Sequence, residues 1–373
     1  MNSPQHSALV QWCDRSSALN QPPQTHSRRI ISIQVCRGLA ALLVVAVHLH
    51  GIETKFCNTN HTLLLEHGAL GVDLFFVISG VVISSVTIGK FGQPREAVRF
   101  LYHRLARIFP ILWIYTTLAL IAYRFQPAGT ADFLHPITIL SSYLLLPSNQ
   151  RLILLQAWTL TSELYFYLIF FLLLLFIPER LSRWFIALWG ITIILLKLHV
   201  GLSPSAVVQT LLTPMTLEFL AGCVIFHIYR RRRLHKTAGI LLILAALLWL
   251  TATLAYSLHA HPGRPTWIIA GPWLRPLLYG SFAALFLLGA IELERSNLIR
   301  FFPILKSIGD WSYSIYLSHI LVLELIARIL SPLHPNIFVI ALISLPFVLA
   351  AGYLSYTFIE RPILNRLYKS APA

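Results

Sequence analysis

The sequence predicts an all-α polytopic membrane protein with about ten transmembrane helices, and three observations carry that prediction. Of 373 residues, 57% are hydrophobic and only 12% are charged, with mean hydropathy +0.71, whereas soluble domains carry about 25% charged residues. Apolar runs of membrane-spanning length recur along the chain, and hydrocarbon ~30 Å thick calls for ~20 apolar helical residues. The 29 Lys and Arg, against 14 Asp and Glu, concentrate in alternate loops. In a soluble chain such an excess would suggest nucleic acid, but spread over every second loop it marks one membrane face. Membrane lipids are therefore expected partners and nucleic acid is not.

Residues 1–29 are polar, with Pro22-Pro23 and many Ser and Gln, and read as a disordered cytoplasmic tail. The apolar run that follows lacks a small-residue cleavage site and is too long for a signal-peptide core, so it counts as a mature span. Spans are predicted near 31–51, 69–89, 107–125, 152–177, 183–200, 206–229, 238–258, 267–291, 311–331 and 336–359. A further apolar piece, 133–147, is short and bounded by Pro136 and Pro147. Loop charge arbitrates its fate. Lys90–Arg107 and Arg230–Lys236 are both strongly basic, so both belong to the cytoplasm and an even number of crossings separates them. Omitting 133–147 leaves four crossings, and the piece is read as re-entrant or interfacial. Both termini then lie in the cytoplasm, residues 363–373 form a cytoplasmic tail, and Lys and Arg favour that side by about three to one. No internal repeat is evident, which weakens a transporter built from duplicated halves. Cys13, Cys36, Cys57 and Cys223 have neither metal-ligand nor disulfide spacing, and the histidines lack it too, so no metal is expected.

Several polar groups are not explained by loops. Arg37 opens an apolar helix that reaches His48 eleven residues later, ~16 Å along the axis, which sets His48 past the midplane. An ionisable group there is either functional or a hydrogen-bonding link to a neighbouring helix. Asp73, in Gly-Val-Asp-Leu-Phe-Phe-Val-Ile-Ser-Gly, lies at similar depth. It is either the carboxylate that orients His48 or a charge complementing its own helix N-terminus. Arg104 and Arg107 share a helix face at the cytoplasmic side. They suit phosphate oxygens, with ordinary positive-inside charge as the plainer reading. Glu163, in Trp-Thr-Leu-Thr-Ser-Glu, falls near mid-membrane, where a carboxylate is protonated, paired or facing water. Glu218 is a second buried carboxylate. Tyr313, Tyr316 and Asp310 fall near one helical stripe, and His319 sits half-way into the same span as an interhelical hydrogen-bonding candidate. Glu360-Arg361-Pro362 reads as an anchoring ion pair with a proline stop.

Taken in this order, these residues resemble the acyltransferase 3 family of bacterial integral-membrane acyltransferases, and within it the exopolysaccharide and O-antigen O-acetyltransferases. The match rests on Arg37/His48, the Gly-Val-Asp-Leu-Phe-Phe run, Arg104/Arg107 with Arg-Ile-Phe-Pro, Trp158 to Glu163, Ser312 to His319 and the closing Ile-Glu-Arg-Pro, covering residues 30–362. Cys36, His103 and Trp311 depart from the usual pattern without removing a chemical group. The resemblance implies transfer of an acyl group, most often acetyl, from cytosolic acetyl-CoA or another acyl-CoA to a hydroxyl of a polysaccharide or lipid-linked glycan at the bacterial inner membrane. It implies cosubstrate-binding roles for Arg37, Arg104 and Arg107 and catalytic roles for His48, Asp73 and Glu163, with Tyr313 and His319 as further candidates. The rival reading is a glycan or lipid flippase without acyl transfer, because intramembrane carboxylates and histidines also suit proton coupling.

Overall fold

The structure is a computed structural model describing residues 30–59, 61–124, 134–200, 205–260, 271–299 and 303–371. The expected tail 1–29, and the starts of the predicted 133–147 and 267–291 segments, lie outside these residues. Regular structure among the described residues is helical: α1 (Ile31–Ile52), α2 (Leu70–Thr87), α3 (Pro94–Arg124), α4 (Pro136–Leu144), α5 (Trp158–Phe176), α6 (Glu179–Val200) and α7 (Ala206–Leu211), followed by α8 (Met215–Arg231), α9 (Lys236–Ala260), α10 (Gly271–Arg275), α11 (Ser281–Arg295), α12 (Pro303–Leu330), α13 (Ile337–Ser355) and α14 (Arg361–Lys369). Among them, ten helical segments are long and apolar enough to cross a membrane. The nine-residue α4 is not one of these; at ~1.5 Å per residue it covers less than half the hydrocarbon. It lies against α3, where Trp113 Nε1 donates to the Tyr143 carbonyl at 2.9 Å.

Three boundaries differ from the sequence reading, and each has a physical reason. α3 starts at Pro94, ahead of the expected 107, because proline suits a first helical turn and nothing in the basic stretch breaks the helix. Arg104 and Arg107 therefore ride on the same rod as the span. α12 likewise starts at Pro303 and carries Ser312, Tyr313, Tyr316 and His319 in one register. At the chain's end the expected ion pair and stop do not form. A π-helical turn, Tyr356–Glu360, leads directly into α14, with Pro362 in its first turn, where the missing N–H costs nothing. Glu360 instead turns inward and accepts from Ser314 Oγ at 2.6 Å. α14 lies on α3, with Tyr102 donating to the Leu367 carbonyl at 3.0 Å.

The central helices are those that bury the most apolar surface. The segment Leu63–Thr87, which contains α2, has 67% of its apolar window buried, against 17% for α9 and 22% for α6. α2 is therefore interior and the other two face lipid. Close backbone approach sets two crossings. A Cβ on Gly309 of α12 would lie 1.8 Å from the Gln34 carbonyl oxygen of α1, and one on Gly80 of α2 would lie 2.0 Å from the Phe219 carbonyl oxygen of α8. Small residues at such points let membrane helices pack backbone to backbone. The first crossing brings Arg37 against Ser312.

Candidate active site

Arg37 leaves α1 at that crossing, and its Nη2 donates to Ser312 Oγ at 3.0 Å. From α3, the Arg104 guanidinium lies over the Phe100 and Tyr167 rings at 5.6 and 5.7 Å, a cation–π arrangement. Its Nε is buried without a hydrogen-bond partner. Arg107 follows three residues later on the same face. Glu163 of α5 accepts from Ser79 Oγ at 3.1 Å and from Tyr167 Oη at 2.5 Å. Arg37, Arg104, Arg107, Glu163 and Tyr313 all line one cavity, whose apolar walls include Phe75, Phe76, Val82 and Leu160. Glu163 and Glu360 are the carboxylates facing Arg37 and Arg107. Three guanidiniums against two carboxylates leave a cationic excess over an apolar throat. Such a chamber suits a ligand with phosphates at one end and an apolar arm at the other.

Phe75 and Tyr316, ring centroids 6.1 Å apart, form part of the cavity wall. Tyr316 Oη donates to the Gln156 carbonyl at 2.7 Å and is 2.5 Å from Thr159 Oγ1. His48 is not part of the cavity wall. Its neighbour is His319, whose ring lies 6.0 Å from that of Tyr316 and whose Nε2 is 3.2 Å from His48 Nδ1. The backbone decides the tautomers. His48 Nδ1 lies 2.8 Å from the Val44 carbonyl, and His319 Nδ1 lies 3.1 Å from that of Ile315. Carbonyls only accept, so each Nδ1 carries the hydrogen. His48 Nδ1–H also points at the bare Nε2 of His319. The lone pair of His48 therefore sits on Nε2, ready to take a proton.

The expected His48–Asp73 pair does not form. Asp73 is fully buried and accepts from two of the three nitrogens of Arg275, Nε to Oδ1 at 3.1 Å and Nη2 to Oδ2 at 3.0 Å. Arg275 also donates to the Ala69 carbonyl at 3.2 Å, and Glu218 belongs to the same charge cluster. A bidentate guanidinium outcompetes an imidazole for a buried carboxylate because charge and geometry both match. Glu163 lines the arginine cavity. Asp310 does not join the Tyr313–Tyr316 stripe at the cavity. Tyr167, one turn after Glu163, was readable from its i,i+4 spacing. Ser79, Ser312 and Glu360 had no such signal, because their partners lie on other helices. No group of three or more His, Cys, Asp or Glu able to hold a metal occurs among the described residues.

The family model for an acyltransferase domain matches residues 30–357. The chain belongs to that family. It is thus a multi-pass membrane acyltransferase, with the catalytic fold carried by the helices just described. The exopolysaccharide production protein ExoZ of Rhizobium meliloti is 28% identical over 319 residues, covering 80% of this chain and 90% of that relative. The peptidoglycan O-acetyltransferase OatA of Listeria monocytogenes is 26% identical over 374 residues, covering 91% of this chain but 56% of that protein. For the O-acetyltransferase OatA of Staphylococcus aureus the figures are 25% over 359 residues, 89% and 57%. The chain therefore spans little more than half the length of these two acetyltransferases. No solved structure shows significant similarity to it.

Proposed function

We propose that this acyltransferase moves an acetyl group from cytosolic acetyl-CoA to a hydroxyl of a glycan bound for the cell surface, in the inner membrane and with both tails in the cytoplasm. The observation that carries this reading is the convergence of Arg37, Arg104 and Arg107 from two helices on one apolar-walled cavity. Arg104 and Arg107 hold the phosphates of the cosubstrate, and Arg37, fixed by Ser312, assists at the same mouth. Tyr167 and Ser79 hold Glu163 against the arginines, which keeps the cluster from repelling itself when empty.

The arm of the cosubstrate runs along Phe76, Val82 and Leu160 toward Tyr316. Phe75 and Tyr316 part to let the thioester reach His48. There the acceptor oxygen attacks the thioester carbonyl carbon and its proton passes to His48 Nε2. The carbon–sulfur bond then breaks and coenzyme A leaves as thiolate. His319 keeps His48 in the required tautomer. Asp73 has a structural part, as the buried counter-charge of Arg275. The likeness to an exopolysaccharide production protein and to O-acetyltransferases supports a glycan acceptor and an acetyl donor.

The test is His48→Ala in a strain lacking the native gene. Membranes with normal protein levels should lose acetyl-CoA-dependent acetylation, and the surface polysaccharide should lose the acetyl mass. Retained acetylation would overturn the scheme.

A further inference from the structure

A second cavity, of about 390 Å³, lies between the stretch after α4, the start of α5 and the α7 region. Its lining is of a different kind. Gln150, Thr161, Gln209 and Thr213 supply uncharged donors and acceptors, Arg151 is the one ionisable group in the wall among the described residues, and Trp158 is 41% exposed. Thr161 Oγ1 is buried and has no hydrogen-bond partner. A hydroxyl held away from water without a partner is unfavourable unless something fills its place.

The cavity is also preformed. Ser142 Oγ accepts from Ile153 N at 2.9 Å, Thr138 Oγ1 donates to Gln150 Oε1 at 2.6 Å, and Leu152, Ile153 and Leu154 are buried beneath the stretch. Several neutral hydrogen-bonding groups beside an exposed tryptophan match a neutral sugar, whose hydroxyls take amide and hydroxyl partners while its C–H face lies on the ring. A phosphate would need more cation, a basic peptide would need carboxylates, and an acyl chain would leave the hydroxyls unpaired.

We propose that this cavity is a saccharide subsite that holds the acceptor chain at a distance from the transfer point. The inference rests on the glycan-acceptor reading above and adds where the chain is gripped. Helical period explains the separation. Thr159 and Glu163 of α5 face the donor cavity, whereas Trp158, Thr161 and Ser162 face this one. One helix lies between them, so the acceptor must be long enough to occupy the subsite and still reach past α5. Single sugars are therefore poor ligands and oligomers good ones.

The test uses the purified full chain in nanodiscs, with calorimetric titration of acetyl-CoA, cellohexaose, chitohexaose and glucose. The wild type should bind at least one hexasaccharide saturably and at least ten-fold more tightly than glucose. Trp158→Ala and Thr161→Val should each weaken that binding at least ten-fold, whereas Thr161→Ser, which keeps the hydroxyl and reports on folding, should retain it. Binding of acetyl-CoA with no binding of either hexasaccharide would overturn the subsite and leave the acyltransferase reading standing. Hexasaccharide binding unchanged in both Trp158→Ala and Thr161→Val would also overturn it. Weakened hexasaccharide binding in those variants, in a protein that does not bind acetyl-CoA, would support the subsite and count against the donor reading.

Discussion

At Arg104 the guanidinium lies against two adjoining aromatic rings with its Nε unpaired, so that donor is held ready for an anion. Lysine keeps the charge but loses the planar fork that binds phosphate and stacks on rings. Arg104→Lys should weaken acetyl-CoA binding at least ~10-fold, about 1.4 kcal/mol, as read by titration of the purified protein; unchanged affinity would remove Arg104 from the donor site. Asp73 has the opposite character, since its energy goes into the fold. Removing one partner of a buried ion pair costs about 3–5 kcal/mol, while replacing both with apolar groups is often close to neutral. Asp73→Ala should therefore lower the thermal midpoint in detergent sharply, and Asp73→Leu combined with Arg275→Met should recover most of the loss. If Asp73→Ala kept its melting point and lost only turnover, Asp73 would belong with the chemistry after all.

Among the elements, α1 and α12 matter most, because their crossing fixes both Arg37 to Ser312 and His48 to His319. The crossing depends on backbone contact at Gly309, where a methyl group has no room against the Gln34 carbonyl. Gly309→Ala should push the helices apart, lower the melting temperature and reduce acetyl transfer, even though residue 309 carries no functional group. A fully active, equally stable Gly309→Ala protein would show that the two helices do not hold the site in this way. α3 contributes differently. Pro110 lies inside it and withdraws one N–H from the ladder, close to the Ile108 carbonyl that accepts from Tyr313 at 2.7 Å. That bond joins the arginine-bearing helix to α12 at the cavity wall.

For the molecule as a whole, the two cavities differ in the charge of their linings. Arg37, Arg104 and Arg107 line the first, whereas Arg151 is the one ionisable residue lining the second among the described residues. The orientation proposed from loop charge makes a direct prediction. In a protein stripped of native cysteines, His235→Cys should react with a membrane-impermeant maleimide from the cytoplasmic side alone, and Asn149→Cys from the opposite side alone. Labelling of both from one face would invert or break the topology.

Hydropathy and loop charge by themselves determined the ten spans and the non-spanning character of 133–147, and the order of the polar motifs carried the resemblance to the family. These are local or additive properties: the length of an apolar run and the charge of a loop do not depend on what the run packs against. Helical period likewise put Arg104 with Arg107 and Tyr313 with Tyr316. What only the tertiary structure decided is which buried groups meet. Asp73 finds Arg275 at a separation of 202 residues, and His48 finds His319 at 271. Depth in the membrane allowed a His48–Asp73 pair, but depth is one coordinate of three. The neighbour of a helix is chosen by close backbone packing at a few small residues, and hydropathy, which sees every apolar face as equivalent in lipid, carries no record of that choice.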